Sequence, residues 1–316
     1  MPTEAAVIES LERRPTSLLA RLKNFAVYVP FLGPFLFLVA TYFFLPVVLT
    51  TVLSFTGMDS KMQWDFVGLE NFRRLFSDPI IPRIARNTAT YVVFTCTFNV
   101  FFGFFLALLT TYFVERENIG LIFRSVWLLP RMTPSVIYIL MWQWFVSPTE
   151  VGFVNQILRA LGQPPQAWLA RQPMPIVILV NGVIGASFGM IVFSAAIKSI
   201  PVDLIRAARV DGASDLAIVR RIIVPMLKWP IMFLTVWQTL SLLASYDYIL
   251  LLTDGGPFYK SEVWALNAYH RAFSSLQFGY GASIALVLVV VGVIATFIML
   301  KLFGFERLME PAKAGA

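Results

Sequence analysis

Six apolar stretches, each long enough to cross a lipid bilayer, constrain the fold of this chain more than any other feature. They cover residues 25–55, 88–114, 121–146, 175–197, 229–252 and 281–300. A transmembrane helix needs about 20 predominantly apolar residues to cross roughly 30 Å of hydrocarbon. Because the bilayer core holds no water to satisfy backbone N–H and C=O groups, stretches of this length cross it as helices. The sequence therefore predicts an all-α integral membrane protein with six transmembrane helices.

The composition favours the bilayer over water as the surroundings of this chain. Its residues are 58% hydrophobic and only 14% charged, whereas soluble domains are closer to half apolar with about a quarter charged. A net charge of +7 would indicate nucleic-acid binding if the basic residues clustered on one face beside stacking aromatics. Here the Lys and Arg residues lie between the apolar stretches. We therefore expect no nucleic-acid partner and interpret the basic residues as orienting the chain in a membrane.

The distribution of Lys and Arg predicts the orientation of the six helices. An even number of crossings places both termini on one side, and cytoplasmic connections carry the excess of basic residues. The connections on the side of the termini hold 15 Lys and Arg residues, against nine on the other side. Residues 1–24 and 306–316 are therefore expected to be cytoplasmic tails of a membrane domain over residues 25–305. The first apolar stretch exceeds a signal-peptide core in length, so no cleavable signal is expected.

The single cysteine and the single histidine argue against several kinds of site. Cys96 lies in an apolar stretch and is interpreted as a packed thiol, which has no partner for a disulfide within one chain. His270 follows the fifth stretch, where we expect a solvated or structural role rather than a zinc site. The sequence also lacks the Gly-x-x-x-x-Gly-Lys-Ser/Thr pattern that binds nucleotide phosphates. We therefore predict that the chain is not an enzyme, is not itself an ATPase and holds no cofactor.

The polar segment at residues 198–228 predicts two short helices that meet at a glycine. It carries six basic residues and is flanked by apolar stretches on both sides. Asp211 and Gly212 are a turn signal, because glycine tolerates positive φ. Ser214 is a candidate N-cap, and apolar residues recur on one side of the helix that follows it. In the predicted orientation this segment lies at the cytoplasmic surface.

The same segment resembles the EAA signature of the permease subunits of ABC importers. The matching positions are Ala207, Ala208, Gly212, Ile222 and Pro225, with Val224 at the position before the proline. The pattern is long and gapped, which makes it more specific than a short motif. Two positions depart from it: Arg206 stands where the family usually has Glu, and Val224 where it usually has Leu.

Two further motifs narrow the resemblance to permeases of the carbohydrate-uptake class. Phe-Val-Gly-Leu-Glu-Asn-Phe occupies residues 66–72, and Leu-Thr-Asp-Gly-Gly-Pro occupies residues 252–257. Each motif alone is weak, since Gly-Gly-Pro is also an ordinary turn, but their order and their spacing from Gly212 add specificity. Over residues 25–305 the chain is similar to the maltose-transporter F-type family of binding-protein-dependent inner-membrane components.

This resemblance implies the type I ABC importer permease fold, with six transmembrane helices and a cytoplasmic coupling helix. It also implies a heterodimer with a second homologous permease, cytoplasmic ATP-binding subunits, an extracytoplasmic solute-binding protein and surrounding membrane lipid. ATP would be bound by the partner subunits. Coupling to them would be carried by Arg206, Ala207, Ala208, Asp211, Gly212 and Ala213. Gly212 would be the point of closest approach to the ATPase.

Polar residues inside the apolar stretches are the candidates for solute contact, because a charge in hydrocarbon is costly and usually functional. Counted from the motifs, the resemblance implies a sugar pathway lined by Arg131, Ser135, Asn181, Gly185, Gln238, Ser241, Ser245 and Asp247. Pro130 and Pro134 interrupt the helical hydrogen bonds around Arg131. Either Arg131 and Asp247 pair with each other or with a neighbouring subunit, or one or both contact the solute.

The expected function is that of a permease subunit in an ATP-driven, binding-protein-dependent importer of an oligosaccharide or related carbohydrate. An arginine in the pathway leaves open an acidic or phosphorylated sugar-like solute. A secondary transporter driven by an ion gradient is the competing class, and it predicts an inverted repeat and ion-binding acids in broken helices. Asp247 is the one clear intramembrane acid in the sequence, and no repeat is evident. A membrane scaffold would leave the gapped signature unexplained.

Overall fold

The computed structural model describes residues 18–114 and 116–305, with side chains from residue 29 onward. Residues 1–17 of the predicted N-terminal tail and the predicted tail at 306–316 lie outside the described residues. Within the described ranges the regular structure is helical, apart from one isolated β-bridge between Thr56 and Phe66. The all-α prediction is confirmed for this part of the chain.

The chain divides into two units, residues 1–53 and residues 54–316. In the first unit, helix α1 (Leu18–Val39) continues through a π-helical turn (Ala40–Phe44) into α2 (Leu45–Ser54). Its apolar part, Val29–Ser54, is long enough to cross a membrane.

The second unit contains the remaining described helices. In chain order they are α3 (Glu70–Ser77), α4 (Ile81–Ala107), α5 (Glu117–Met132), α6 (Ser135–Phe145), α7 (Phe153–Ala160), α8 (Trp168–Arg171), α9 (Pro173–Lys198), α10 (Val202–Val210), α11 (Asp215–Ile218), α12 (Val224–Met226), α13 (Lys228–Ala244), α14 (Asp247–Thr253), α15 (Trp264–Tyr269) and α16 (Phe278–Leu302). π-Helical turns extend α4, α11 and α15 at Leu108–Phe113, Val219–Ile223 and His270–Ser274. In this unit the continuous helices of membrane-spanning length are Ile81–Phe113, Pro173–Lys198 and Phe278–Leu302.

The third predicted span is divided into α5 and α6 by a break at Thr133 and Pro134. Pro134 has no N–H to continue the helical hydrogen bonds, and proline disfavours helical backbone at the residue before it. Thr133 accordingly has extended angles, with φ −75° and ψ 136°. Its hydroxyl donates to the carbonyl of Leu129 at 3.2 Å. The interruption predicted at Pro134 is present, whereas the one predicted at Pro130 is wrong, because α5 continues through that residue to Met132.

The fifth predicted span is also divided, and here the expected single helix over residues 229–252 is wrong. α13 ends at Ala244, Ser245 has extended angles of φ −76° and ψ 125°, and α14 begins at Asp247. No proline lies at this break. Instead, the Ser245 hydroxyl lies 3.3 Å from the hydroxyl of Tyr91 on α4. A contact with a distant helix, rather than a local signal, accompanies the interruption.

The core of the second unit is built on the close packing of α4 against α9. Glycines at this contact let the two backbones approach, as small residues do between membrane helices. A Cβ on Gly103 of α4 would lie 2.8 Å from the carbonyl oxygen of Ala186 and 3.0 Å from the Cα of Gly189 on α9. A Cβ on Gly182 would lie 2.5 Å from the ring of Phe98. Larger side chains therefore fit at these positions only if a backbone or a ring shifts.

Buried apolar side chains surround this contact along the length of α4 and α9. One cluster joins α4, α6, α9 and α14 around Val177 and Ile249. A second cluster, which we call the junction cluster, joins the ends of α4 and α9 to residues 198–228 around Phe193 and Ile218. A third joins α3, α15 and α16 to the start of α4 around Ile84. The two long helices thus connect both ends of the unit.

We predict that Gly103→Ala destabilises the protein and that Gly292→Ala does not. The Cβ at position 103 would meet backbone atoms, and overpacking of this kind costs about 1–3 kcal/mol. A Cβ at position 292 on α16 would meet only the Leu240 side chain, at 3.7 Å. The measurement is the thermal unfolding of each purified variant in detergent, with Gly292→Ala as the matched control. Equal unfolding temperatures for Gly103→Ala and the native chain would contradict the close contact.

Candidate functional site: a polar cavity and a surface segment

A cavity of about 410 Å³ lies between α5, α9, α13 and α14. Seven of the eight residues predicted for the solute pathway line it: Arg131, Asn181, Gly185, Gln238, Ser241, Ser245 and Asp247. The end of α5 and the break after α13 border it, because Arg131 is in the last turn of α5 and Ser245 follows the end of α13. Polar groups that are far apart in the sequence therefore converge at one place in an apolar helix bundle.

Ser135 is the predicted pathway residue that does not line the cavity. It is the first residue of α6, and the break at Thr133 and Pro134 separates it from Arg131. The two residues therefore do not share one face of a continuous helix, although their spacing of four would place them together on an unbroken one.

The cavity also has aromatic walls that the sequence analysis did not identify. They are Phe188, Trp237 and Tyr248. Phe188 lies three positions after Gly185 on the same face of α9, and Trp237 directly precedes Gln238. Helical spacing from the predicted polar residues is the signal that would have found Phe188.

Arg131 and Asp247 both line the cavity but do not pair with each other. The ion pairs among the described residues include neither side chain. The Arg131 guanidinium lies 5.5 Å from the centre of the Phe188 ring, which is within the range of a cation–π contact. Both charged residues are exposed. Of the alternatives left open by the sequence, direct pairing within this chain is therefore wrong.

Behind the lining, α4 supplies polar side chains that the sequence analysis also missed. Asn181 Nδ2 donates to the hydroxyl of Tyr91 at 3.0 Å, and Asn99 Nδ2 donates to Gln238 Oε1 at 3.2 Å. Tyr91 and Asn99 are buried. A Cβ on Gly185 would lie 2.4 Å from the Asn99 amide nitrogen, so this glycine leaves room for the amide. Two amides of the cavity are thus hydrogen-bonded from behind.

The segment at residues 198–228 forms two short helices that meet at Gly212. α10 ends at Val210, and Gly212 has a positive φ of 78°. The N–H groups of Gly212 and Ala213 donate to the carbonyls of Arg209 and Ala208, at 3.0 Å and 2.9 Å. This pair of bonds is the Schellman pattern of a helix C-terminus, in which glycine takes the left-handed position. The predicted glycine turn is present.

Glycine is needed at position 212 for its backbone angle and not for space within this chain. A Cβ there would have no heavy atom within 4 Å, whereas other residues are strained at positive φ. The close approach predicted at Gly212 therefore concerns only a partner surface. Of the residues predicted for coupling, Ala208 and Ala213 pack against the junction cluster, and the others are exposed: Arg206, Ala207, Asp211 and Gly212.

Polar contacts hold the second helix of this segment against α4. The Tyr112 hydroxyl donates to Asp215 Oδ1 at 2.7 Å, and Arg209 Nη2 lies 3.5 Å from the same oxygen. The Ser214 hydroxyl accepts from the N–H of Ala217 at 3.4 Å, as its predicted capping role requires. The segment is thus fixed to the long helices by apolar packing and by hydrogen bonds.

An ion-pair network lies beside this segment at the end of α9. The Glu117 carboxylate accepts from Lys198 and from Arg124. Arg124 is buried and also donates to the carbonyl of Thr110 at 2.7 Å. The hydrogen bond from Lys198, together with the positive charges of Lys198 and Arg124, lowers the pKa of Glu117 below its ordinary value. The network joins the end of α4, the start of α5 and the end of α9.

The Gly-Gly-Pro motif lies at the other end of α4, in a loop held by polar contacts. Asn87 Nδ2 donates to the carbonyls of Tyr259 and Glu262, at 2.8 Å and 3.0 Å. His270 lies between Glu262 and Asp254, with a ring nitrogen 3.0 Å from each carboxylate. Burial raises the pKa of Glu262, and the nearby His270 opposes this rise. In the part of the chain that the structure describes, no group of His, Cys, Asp and Glu side chains is arranged to hold a metal ion.

Several known proteins are similar to this chain in sequence. Residues 99–304 match the family described as binding-protein-dependent transport system inner membrane component. A probable ABC transporter permease protein of Pyrococcus horikoshii is 29% identical over 84% of this chain and 91% of the relative. The alpha-glucoside transport system permease protein AglF of Rhizobium meliloti is 30% identical over 82% of this chain and 77% of the relative. The sulfoquinovosyl glycerol transport system permease protein SmoG of Agrobacterium fabrum is 28% identical over 86% and 88%.

The fold is also similar to that of a solved transporter. This chain superposes, with a TM-score of 0.81, on a chain of a bacterial ABC transporter involved in the import of the acidic polysaccharide alginate. The alignment covers 93% of this chain and 99% of that one, at 22% identity. The match to the family covers more than half of the chain, and the relatives align along most of its length. This chain therefore belongs to the family of binding-protein-dependent transport system inner membrane components, the permease subunits of ABC transporters.

Proposed function

We propose that this chain is a permease subunit of an ATP-driven, binding-protein-dependent importer of an oligosaccharide or related carbohydrate. The observation that carries the proposal is the cavity in which amides and hydroxyls share one space with Phe188, Trp237 and Tyr248. A sugar offers hydroxyl groups that exchange hydrogen bonds with amides, and apolar ring faces that pack on aromatic rings. The α-glucoside and sulfoquinovosyl glycerol systems named for two relatives support the carbohydrate class.

We propose six membrane crossings in the type I importer permease fold, of which the third (α5 and α6) and the fifth (α13 and α14) are broken helices. Each pair exceeds the length of about 20 residues that a crossing needs. Non-helical backbone at membrane depth is tolerated where protein covers it or where it lines a water-filled cavity. Ser245 of the fifth crossing lines the cavity, and so does Arg131, two residues before the break in the third. The excess of Lys and Arg assigns the termini and residues 198–228 to the cytoplasm of an inner-membrane protein. The relatives, which are ABC transporter permeases, offer no support for an ion-gradient mechanism.

ATP binding and hydrolysis are assigned to separate cytoplasmic subunits, with α10 and the Gly212 corner as the docking surface. Val210 is 88% exposed and Leu216 is 76% exposed on this surface, although apolar side chains of this size are usually covered in a finished assembly. The segment packs through the junction cluster on the end of α9, and the same helix carries Asn181 and Gly185 into the cavity. A displacement of the docked segment would therefore reach the cavity along one helix.

A second permease is proposed to close the cavity. The lining residues Arg131, Trp237 and Asp247 are exposed in the single chain, so the cavity is open beside them. A homologous permease related by pseudo-symmetry would supply the missing wall. The loop with the Gly-Gly-Pro motif, at the opposite end of α4 from the docking surface, would then face the solute-binding protein.

We predict that Gly212→Trp uncouples transport from ATP hydrolysis without removing the protein from the membrane. A large side chain at the corner would keep the ATPase from docking, and uptake should fall by roughly tenfold or more. Gly304→Trp is the matched control, because Gly304 also has positive φ and open space around its Cβ position, outside the docking surface. Uptake and ATP hydrolysis are measured in liposomes that contain the complete transporter. Wild-type uptake by Gly212→Trp would show that the docking surface lies elsewhere.

An acidic or phosphorylated saccharide is the second candidate solute. The observation that favours it is Arg131, which has no ion-pair partner among the residues that the structure describes. Guanidinium groups form strong, often bidentate hydrogen bonds with carboxylates and phosphates where water is excluded. Asp247 lines the same cavity and opposes this preference. The solute charge that the cavity prefers therefore depends on whether Arg131 or Asp247 contacts the solute.

We predict that Arg131→Gln lowers the uptake of an anionic saccharide by about tenfold and that of a neutral one by less than about twofold. Asp247→Asn is the opposing variant and should leave the uptake of an anionic saccharide intact or improve it. Competition uptake with galacturonate trisaccharide and maltotriose separates the two solutes. If Arg131→Gln fails to assemble and Asp247→Asn restores assembly, the two residues have a structural role and the charge argument is wrong.

A further inference from the structure

A buried stripe of polar side chains runs along α4 behind the cavity. Tyr91, Thr95 and Asn99 recur every four residues, which places them on one face of the helix. Each has an exposed fraction of 1% or less. The Thr95 hydroxyl and the Asn99 carbonyl oxygen have no hydrogen-bond partner among the described residues. An unpaired buried polar atom costs about 1–3 kcal/mol of folding free energy. A contribution to stability therefore does not by itself account for the stripe.

Tyr91 joins two cavity-lining groups from different helices. Its hydroxyl accepts from Asn181 Nδ2 on α9 at 3.0 Å and lies 3.3 Å from Ser245 Oγ. Since the amide donates to the phenol oxygen, the phenol hydrogen is available to donate to Ser245. Tyr91 is itself outside the lining of the cavity. It therefore acts on the cavity through Asn181 and Ser245.

The hydrogen bond to Asn181 determines which part of that amide faces the cavity. With Nδ2 bonded to Tyr91, Oδ1 is left to accept a hydrogen bond from a solute hydroxyl. The contact with Ser245 lies in the break between α13 and α14, and Asp247 follows two residues later. One phenol thus orients an amide on α9 and holds the non-helical turn of the fifth crossing. Without it, the amide could rotate and the turn could move independently of α9.

We propose that Tyr91 is a positioning residue that determines solute affinity by orienting Asn181 and Ser245 in the cavity. The inference rests on the proposed import function, and it adds a determinant of affinity outside the cavity lining. Positioning groups of this kind hold binding side chains in the orientation that the ligand requires. Asn99 stands in the same relation to Gln238 on α13. The stripe on α4 is therefore a common support for side chains on α9 and α13.

Tyr91→Phe is the test, and Tyr138→Phe is its matched control. Tyr138 is also buried, and its hydroxyl donates to the carbonyl of Val180 on α9 at 2.8 Å, but Val180 does not line the cavity. Each variant thus loses one buried hydroxyl that contacts α9. Loss of the Tyr91 hydroxyl should raise KM by roughly three- to tenfold and leave the maximal rate within about twofold. Tyr138→Phe should leave KM unchanged even if it lowers thermal stability.

The assay is uptake by liposomes that hold the complete transporter and its binding protein, with labelled maltotriose, trehalose and galacturonate trisaccharide as probes. If the wild-type transporter takes up none of them, the proposed function is overturned and the inference with it. If wild-type uptake occurs and Tyr91→Phe has the KM of Tyr138→Phe, the positioning role alone is overturned. Should Tyr91→Phe fail to assemble, 3-fluorotyrosine is placed at position 91 instead. It keeps the ring and the hydroxyl, but its phenol oxygen is a weaker acceptor of the hydrogen bond from Asn181. An unchanged KM for that variant would equally overturn the inference.

Discussion

The close contact between α4 and α9 is the interaction on which the rest of this structure depends. Gly103 and Gly189 bring the two backbones together where any Cβ would meet main-chain atoms, so the helices pack without intervening side chains. That proximity places Tyr91 and Asn99 of α4 within hydrogen-bonding distance of groups on α9 and α13. The same two helices reach the junction cluster at one end and the Gly-Gly-Pro loop at the other. The cavity, the proposed docking surface and the Gly-Gly-Pro loop therefore share one support.

The two broken helices, α5 with α6 and α13 with α14, show how an apolar bundle accommodates a polar cavity. A continuous helix satisfies its own backbone and presents one regular stripe of side chains, whereas a break leaves polar backbone that needs cover. In this chain the breaks follow Met132 and Ala244, and the cavity is lined by Arg131 just before the first break and by Ser245 within the second. Arg131 rests over the Phe188 ring instead of pairing with Asp247. Two opposite charges are thus kept apart in one space, where each remains available to a ligand or to a partner subunit.

The surface segment at residues 198–228 differs from the cavity in how it is stabilised. Its corner is closed by bonds between neighbours, namely those from Gly212 and Ala213 to the last turn of α10 and the cap at Ser214. Its inner side packs on the junction cluster, while Val210 and Leu216 are exposed. A locally determined shape with exposed apolar residues suits the proposed docking of this segment to a separate subunit.

The sequence by itself determined the features that depend on neighbouring residues. The long apolar stretches predict helices because backbone bonds in hydrocarbon must close locally. Pro134 predicts the break between α5 and α6, and Gly212 predicts the left-handed turn after α10. Tertiary structure alone decided the break at Ser245, the exclusion of Ser135 from the cavity and the separation of Arg131 from Asp247. It also decided the supporting role of Tyr91, whose partners lie 90 and 154 positions away in the chain. Such contacts depend on how the helices pack, and helical periodicity shows which face a residue occupies but not which distant residue meets it.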